Sequence, residues 1–384
     1  MTTNKNLSLC AAFALATTIL IGCSTKTCQH SEFKPLSPKA TNGDEYLYEI
    51  TYDQYDFEKG LLYLKDNKEN IFKKPAGCSS VRNGDFHGRN LDYFINHDAD
   101  VVIHVKGTKD RFASVGMVSC FPALSKETID NGDMDENFYN LLPLFTVDGI
   151  NEYGVAANIN VLPTQQCKPT TGTNPDAPTL LVSCVVRYIL DHAKSVDEAV
   201  NLLKEHNIVS LPVSSFPFET HFMISDAKKT VVVEFWDNKL VVTPSNIMTN
   251  FYLCNENCFE KIGTERFDIL KAHYDEAKTA DGMKNLMKRV WYSKAYTRNT
   301  DPFWYSEFVS EKLVNKDIET GNLTEFDKVV DKAVARYGSV DQQKKLRNGV
   351  DWYTTHTVIY NLKERTLTLT AQENDTEWHF NIEK

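Results

Sequence analysis

From residue 78 onward, short runs of β-branched and aromatic residues alternate with polar turn residues along the chain. Residues 101–105, 112–120, 153–162, 222–225, 230–236, 239–243 and 247–253 each have the length and composition of a strand. Residues 356–362 and 366–371 close the pattern. Asp237-Asn238 and Lys363-Glu364-Arg365 fall between neighbouring runs, where hairpin loops belong. Between the strand groups the apolar spacing changes to that of helices, over residues 179–192, 264–277 and 281–294. A further helix opens at Ser195, with Glu198 three residues on, the pattern of a capping box. Strands, then two helices, then strands, then helices, then strands predict an α+β fold: an antiparallel sandwich with helices outside.

The first 77 residues have a different character. Lys5 is the only early charge, and residues 9–22 (LCAAFALATTILIG) are apolar throughout. That run is short for a membrane span and the right length for a signal-peptide core. It ends in Leu20-Ile21-Gly22-Cys23, which resembles a bacterial lipobox. A signal peptide over 1–22 is expected, with Cys23 the lipidated residue of an exported, membrane-anchored chain in the cell envelope. More than one acyl chain at Cys23 would make attachment stable. Residues 23–45 are polar and read as a tether. Residues 46–77 carry too many aromatics for a free linker and are expected to pack, as a pro-segment, on a main domain of residues 78–384.

Composition narrows the function classes. The chain has 384 residues, of which 42% are hydrophobic, enough for a large core. Lys and Arg number 42 against 52 Asp and Glu, a formal net charge of −10. A nucleic-acid binder would carry a basic face instead. Nine cysteines are present. Export would permit disulfides, but spacing does not define pairing, and Cys254 and Cys258 are equally readable as a local bridge or as two small apolar residues. No histidine cluster accompanies them, so neither a metal nor a cofactor is expected. Oligomeric state is not legible.

The stretch from Gly77 to Tyr93, GCSSVRNGDFHGRNLDY, reads as a strand, a turn at Asn83-Gly84 and a returning strand. Such a hairpin carries Arg89 and Asp92 back toward Cys78, and a neighbouring cation favours a thiolate. His87 on the same hairpin raises a Cys–His dyad as an option, although strand alternation explains it equally well. Asp301-Pro302-Phe303-Trp304-Tyr305 and Phe216-Pro217-Phe218 are apolar clusters suited to an acyl pocket or, more commonly, to core packing.

This hairpin resembles the start of the mature chain in the choloylglycine hydrolase and acid ceramidase superfamily of linear-amide C–N hydrolases. In that group an N-terminal Cys is followed by a hydroxyl residue and then a Gly-Arg-Asn-x-Asp stretch, here Gly88-Arg89-Asn90-Leu91-Asp92. Similar segments follow in order. Asp148-Gly149-Ile150-Asn151-Glu152-Tyr153-Gly154 leads into a strand ending at Asn160, with Asn158 as the rival position. Met248-Thr249-Asn250, Gly263-Thr264-Glu265-Arg266-Phe267 and His356-Thr357-Val358-Ile359-Tyr360 complete the set. The resemblance implies a four-layer αββα sandwich of the N-terminal nucleophile type.

It also implies site roles. Cys78 would be the nucleophile and, after cleavage of the Gly77–Cys78 bond, its own base. Arg89 and Asp92 would orient it, Asn160 and Asn250 would hold the oxyanion, and Arg266 would support the network. Two features depart from the bile salt hydrolases. Arg89 lies only eleven residues after Cys78, and 54 residues separate Cys23 from Cys78. Both lean toward the acid ceramidase-like and acyltransferase branches. The expected partner is a small N-acyl amide. The rivals are an acyltransferase, in which an amine replaces water, and a lipid-anchored binding protein without catalysis, which would stay uncut at Gly77.

Overall fold

The computed structural model describes residues 28–36, 46–66, 78–94, 99–119, 124–132, 134–162, 176–209, 212–213, 216–217, 219–255, 264–297, 352–371 and 376–382. The first strands are β1 (Gln29–His30), β2 (Lys34–Pro35) and β3 (Tyr46–Gln54), followed by α1 (Phe57–Asp66). Next come β4 (Cys78–Asn83), β5 (Phe86–Phe94), β6 (Ala99–Val105) and β7 (Ser114–Val118). Two short helices, α2 (Lys126–Asn131) and α3 (Glu136–Leu141), precede β8 (Thr146–Asn151) and β9 (Ala156–Leu162). Then β10 (Thr179–Leu181), α4 (Val185–His192), α5 (Val196–Lys204) and β11 (Asn207–Val209) follow, with β12 (Pro212–Val213) and β13 (Phe216–Pro217). The remainder is β14 (Glu219–Ser225), β15 (Thr230–Trp236), β16 (Lys239–Pro244), β17 (Ile247–Met248), α6 (Thr264–Ala272), α7 (Ala280–Thr297), β18 (Trp352–Asn361), β19 (Thr366–Ala371) and β20 (Glu377–Asn381).

Two sheets form the sandwich. The larger runs β1-β3-β6-β7-β8-β9-β14-β15-β16, with β2 also on β3; the smaller runs β17-β4-β5-β18-β19-β20. The sequence of β6, ADVVIHV, shows why the layers stack as they do, since all seven residues are buried. A strand covered on both faces has no reason to alternate polar with apolar. Val101, Ile103 and Val105 pack under the helices with Val185, Ile189 and Leu190 of α4. Val102 points the other way and meets Val358, Leu367 and Leu369 of the small sheet. On the far side, α7 packs over β5 and β18. The layers are therefore helix, sheet, sheet, helix, the αββα sandwich expected.

Several element boundaries differ from the sequence reading. The helix expected over 179–192 begins only at Val185, because Thr179–Leu181 is drawn into parallel pairing with Asn207–Val209. The strand expected over 153–162 starts at Ala156, after a turn in which Gly154 takes φ +77° and the Asn151 side chain accepts the Tyr153 and Val155 amides. A left-handed residue ends strand geometry, and glycine adopts it without steric cost. The helix expected over 264–277 breaks after Ala272 into a 3₁₀ turn at Tyr274–Lys278. Ser195 does cap α5, accepting from the Glu198 amide at 3.2 Å. Glu198 reaches back to the Lys194 amide at 2.8 Å.

Residues 46–66 are part of the sandwich. β3 pairs in parallel with β6 from Tyr46↔Ala99 to Tyr52↔Val105. Tyr48, Ile50, Tyr52, Tyr55, Leu61 and Leu64 belong to the same core cluster as α4. Gly77 and Cys23 lie outside the described residues.

Candidate active site

The β4–β5 hairpin turns at Gly84-Asp85, one residue later than Asn83-Gly84, since Asn83 itself pairs with Phe86. Gly84 has φ +58°, and Asp85 is not left-handed. Gly at the first of two loop residues is the pattern of a type II′ turn. The register then sets Cys78 opposite Leu91, Ser79 opposite Asn90 and Ser80 opposite Arg89. Opposed residues share a face of the sheet and successive residues alternate. Cys78, Ser80, His87 and Arg89 thus face the large sheet, while Ser79, Asn90 and Asp92 face α6 and α7.

On the inner face, Arg89 Nη2 donates to Cys78 Sγ at 3.6 Å and to the Ile159 carbonyl at 3.0 Å. Its Nη1 forms an ion pair with Asp148, both side chains fully buried. Asp148 also accepts from the Tyr360 hydroxyl and, at 3.4 Å, from His356 Nε2. Burial alone would raise the Asp148 carboxyl, but Arg89, His356 and Tyr360 together hold it below the ordinary carboxylate value. His356 Nδ1 faces Asp100 at 3.2 Å. Burial would lower the imidazole, and these two carboxylates more than offset that and raise it. His356 reaches the inner face through a bulge. β18 pairs Thr354 with Asp92 and His356 with Leu91, which leaves Thr355 as an extra residue.

On the outer face, Arg266 of α6 gathers the backbone of the site. Its Nη1 donates to the Cys78 carbonyl at 2.7 Å, to Ser79 Oγ at 3.0 Å and to Asp92 Oδ2 at 3.4 Å. Its Nη2 donates to Asn250 Oδ1 at 2.7 Å. Asp92 accepts in addition from Thr354 Oγ1 at 2.6 Å. Arg89 and Asp92 therefore lie on opposite sides of β5, as their spacing of three in a strand requires.

Asn250 joins the two groups. Its Oδ1 accepts from the Cys78 backbone nitrogen at 2.8 Å, and its Nδ2 donates to the Val161 carbonyl at 2.6 Å. Two donors on Oδ1 define the amide orientation. Asn160 Nδ2 donates to the Thr249 carbonyl at 3.1 Å, next to Asn250. An amide nitrogen has two N–H groups, and the bonds to the Thr249 and Val161 carbonyls each use one of them. The rival, Asn158, is turned toward Ser80 Oγ at 2.8 Å and His87 Nε2 at 2.9 Å. The strand expected over 247–253 is regular only at Ile247–Met248; beyond it, side chains from β9, β14 and β15 hold the backbone.

His87 sits between the Ser225 hydroxyl at 2.8 Å and the Asn158 amide oxygen at 2.9 Å. One donor and one acceptor suit a neutral ring, and complete burial pushes its pKa down to about 4. The structure thus ties His87 to Ser225 and Asn158. A folded pKa below the unfolded 6.5 means that stability is complete above pH 6.5 and falls as pH drops toward 4. His87→Gln is expected to remove up to about 3 kcal/mol of that acid dependence, read from urea unfolding at pH 7 and pH 4.5. An unchanged slope would mean that His87 is not buried neutral.

Sequence reasoning left roles unassigned for Asp100, Asp148, His221, Glu234 and Tyr360. Glu234 had one legible signal, a lone carboxylate within the apolar strand TVVVEFW. Phe216 and Pro217 lie in β13, whereas Phe218, Cys258 and residues 301–305 fall outside the described residues.

Known proteins share parts of this chain. Penicillin V acylase from Pectobacterium atrosepticum is 31% identical over 184 residues, which are 45% of this chain and 46% of that protein. The matched region thus spans about half the length of that relative. Among solved structures, a mutant of the conjugated bile acid hydrolase from Clostridium perfringens gives a TM-score of 0.43 at 16% identity, covering 80% of this chain and 92% of that one. Penicillin V acylase from Agrobacterium tumefaciens gives 0.40 at 16% identity, covering 79% and 86%. The model of the linear amide C–N hydrolases, choloylglycine hydrolase family, matches residues 79–376. This chain belongs to the choloylglycine hydrolase family of linear amide C–N hydrolases.

Proposed function

We propose that this protein hydrolyses a linear N-acyl amide with Cys78 as an N-terminal nucleophile. The observation that carries the reading is the pair of contacts at Cys78, with Sγ beside the Arg89 guanidinium and the backbone nitrogen on Asn250 Oδ1. Once the Gly77–Cys78 bond is cut, that nitrogen is a free α-amine already seated in the site. An α-amine titrates at about 7.7–8.0, low enough to serve as base near neutrality. It takes the thiol proton as Sγ attacks the amide carbonyl. Asn250 and Asn160 donate to the oxyanion, and the ammonium protonates the leaving amine as the C–N bond breaks. Water then cleaves the thioester and releases the acid. Self-cleavage uses the same thiol: Sγ attacks the Gly77 carbonyl, the amide becomes a thioester with a free amine, and water hydrolyses it.

The acyl groups handled by the relatives suggest the first substrates, penicillin V and bile-acid conjugates, beside acyl amino acids, acyl homoserine lactones and acylethanolamides. Export and lipid attachment at Cys23 belong to the same reading. Labelled palmitate is expected to enter the wild-type chain and not Cys23→Ala in a bacterial host; equal labelling would refute the anchor.

Intact mass and N-terminal sequencing of the purified protein test the mechanism, together with the amide panel. A fragment beginning at Cys78 is expected under denaturing conditions. In native chromatography it should co-elute with the preceding fragment, because the β3–β6 ladder and the Tyr48–Tyr52–Leu64 core would still join them. Uncut protein that cleaves none of the panel would refute the reading.

A further inference from the structure

Behind Asn250 lies another buried charge pair, with no part in the chemistry described so far. His221 of β14 and Glu234 of β15 are both fully buried. His221 Nδ1 meets Glu234 Oε1 at 3.1 Å, and its Nε2 meets the Thr249 carbonyl at 2.8 Å. A carbonyl oxygen and a carboxylate can only accept, so both ring nitrogens must carry protons. This sets His221 apart from His87, whose hydroxyl and amide neighbours suit a neutral ring. Glu234 is held as a carboxylate, because its Oε1 accepts the Leu253 amide at 2.8 Å and its Oε2 the Cys254 amide at 2.7 Å. Burial would raise its pKa, but His221 and those amide contacts hold it below the ordinary carboxylate value.

The pair thus grips the segment after β17 at both ends: the carbonyl of Thr249 on one side and the amides of Leu253 and Cys254 on the other. Asn250 lies between them. Register explains the convergence on Thr249. His221 is paired across the strands with Asn160, and both donate to the same carbonyl. We propose that His221 and Glu234 are positioning residues, an imidazolium–carboxylate clamp that fixes the Thr249–Cys254 backbone and so holds Asn250 against Cys78. The kinetic consequence rests on the hydrolase reading; the clamp itself does not.

The test uses the full chain carrying His221→Gln, Glu234→Gln or both. Gln keeps the size of Glu but offers one acceptor where Glu offers two. The amides of Leu253 and Cys254 in Glu234→Gln are expected to exchange with deuterium roughly tenfold faster than in the parent. On an amide that the parent cleaves, each single variant should lose about 10–100-fold in kcat per titrated Cys78, with KM within about threefold. The double variant should be no worse than the poorer single, since residues acting as one unit are not additive. Lowered thermal midpoints with unchanged kcat per titrated thiol would reduce the pair to a structural role and overturn the proposal. Should the parent cleave no amide at all, the hydrolase reading falls alone. The exchange rates then decide, and unchanged protection at Leu253 and Cys254 would overturn the clamp.

Discussion

Replacing Cys78 by Ala is expected to leave the protein folded, uncut after Gly77 and at least about 10⁴-fold slower on any amide the parent cleaves. The side chain is only 2% exposed, and exchanging a thiol for a hydrogen on a buried β-carbon removes little volume. The loss would therefore be chemical. Both reactions attributed to Cys78 need the sulfur, the first against the Gly77 carbonyl and the second against substrate. Cys78→Ser separates them by degree. A hydroxyl ionises far less readily than a thiol, so processing and turnover should both survive only as slow reactions. Mass spectrometry over hours, beside turnover normalised to cleaved protein, reads the two rates. A Cys78→Ala protein that still hydrolyses amides would place the nucleophile elsewhere.

The second large effect is on stability. Arg89→Leu should cost about 3–5 kcal/mol at pH 7, because it removes the guanidinium that pairs the buried Asp148 carboxylate. Asp148 is fully buried, and the charge of Arg89 is the largest single influence holding its pKa down. The sign follows from linkage. In the parent, the depressed pKa contributes stability above the unfolded value that is lost as pH falls through the folded one. In Arg89→Leu, the Arg89 charge no longer holds the carboxyl down, so it is protonated more easily than in the folded parent. The difference between variant and parent should then narrow from pH 7 to pH 4.5 in urea unfolding. Arg89→Leu/Asp148→Asn should recover part of the loss, since no buried charge is left unpaired. A constant difference across that range would show that the charge on Asp148 is not what the variant exposes. Turnover should fall too, because Arg89 Nη2 donates to Cys78 Sγ.

Much of this molecule is legible along the chain. The β-branched runs at 230–236 and 366–371 are strands with the boundaries their composition suggests, because turn residues at Asp237-Asn238 and Lys363-Glu364-Arg365 bracket them. The Ser195 cap was readable for the same local reason. Cys78, Arg89, Asp92, Asn250 and Arg266 stand in short motifs along the chain, and the fold brings them into one hydrogen-bonded cluster.

Other features depend on partners distant in sequence. Nothing within residues 179–181 argues for a strand until Asn207–Val209 lies alongside. Nor does periodicity reveal that residues 46–54 join a sheet whose next strand in sequence begins after the β4–β5 hairpin. In the site, the sequence determined which residue types are available, but tertiary structure decided which face each serves. A II′ turn one residue later than expected, and one bulge at Thr355, direct Arg89 and His356 inward and leave Asp92 to Arg266. The physical reason is the strand period of two. A turn or bulge sets its phase, and burial of the polar faces between layers then makes each hydrogen bond obligatory.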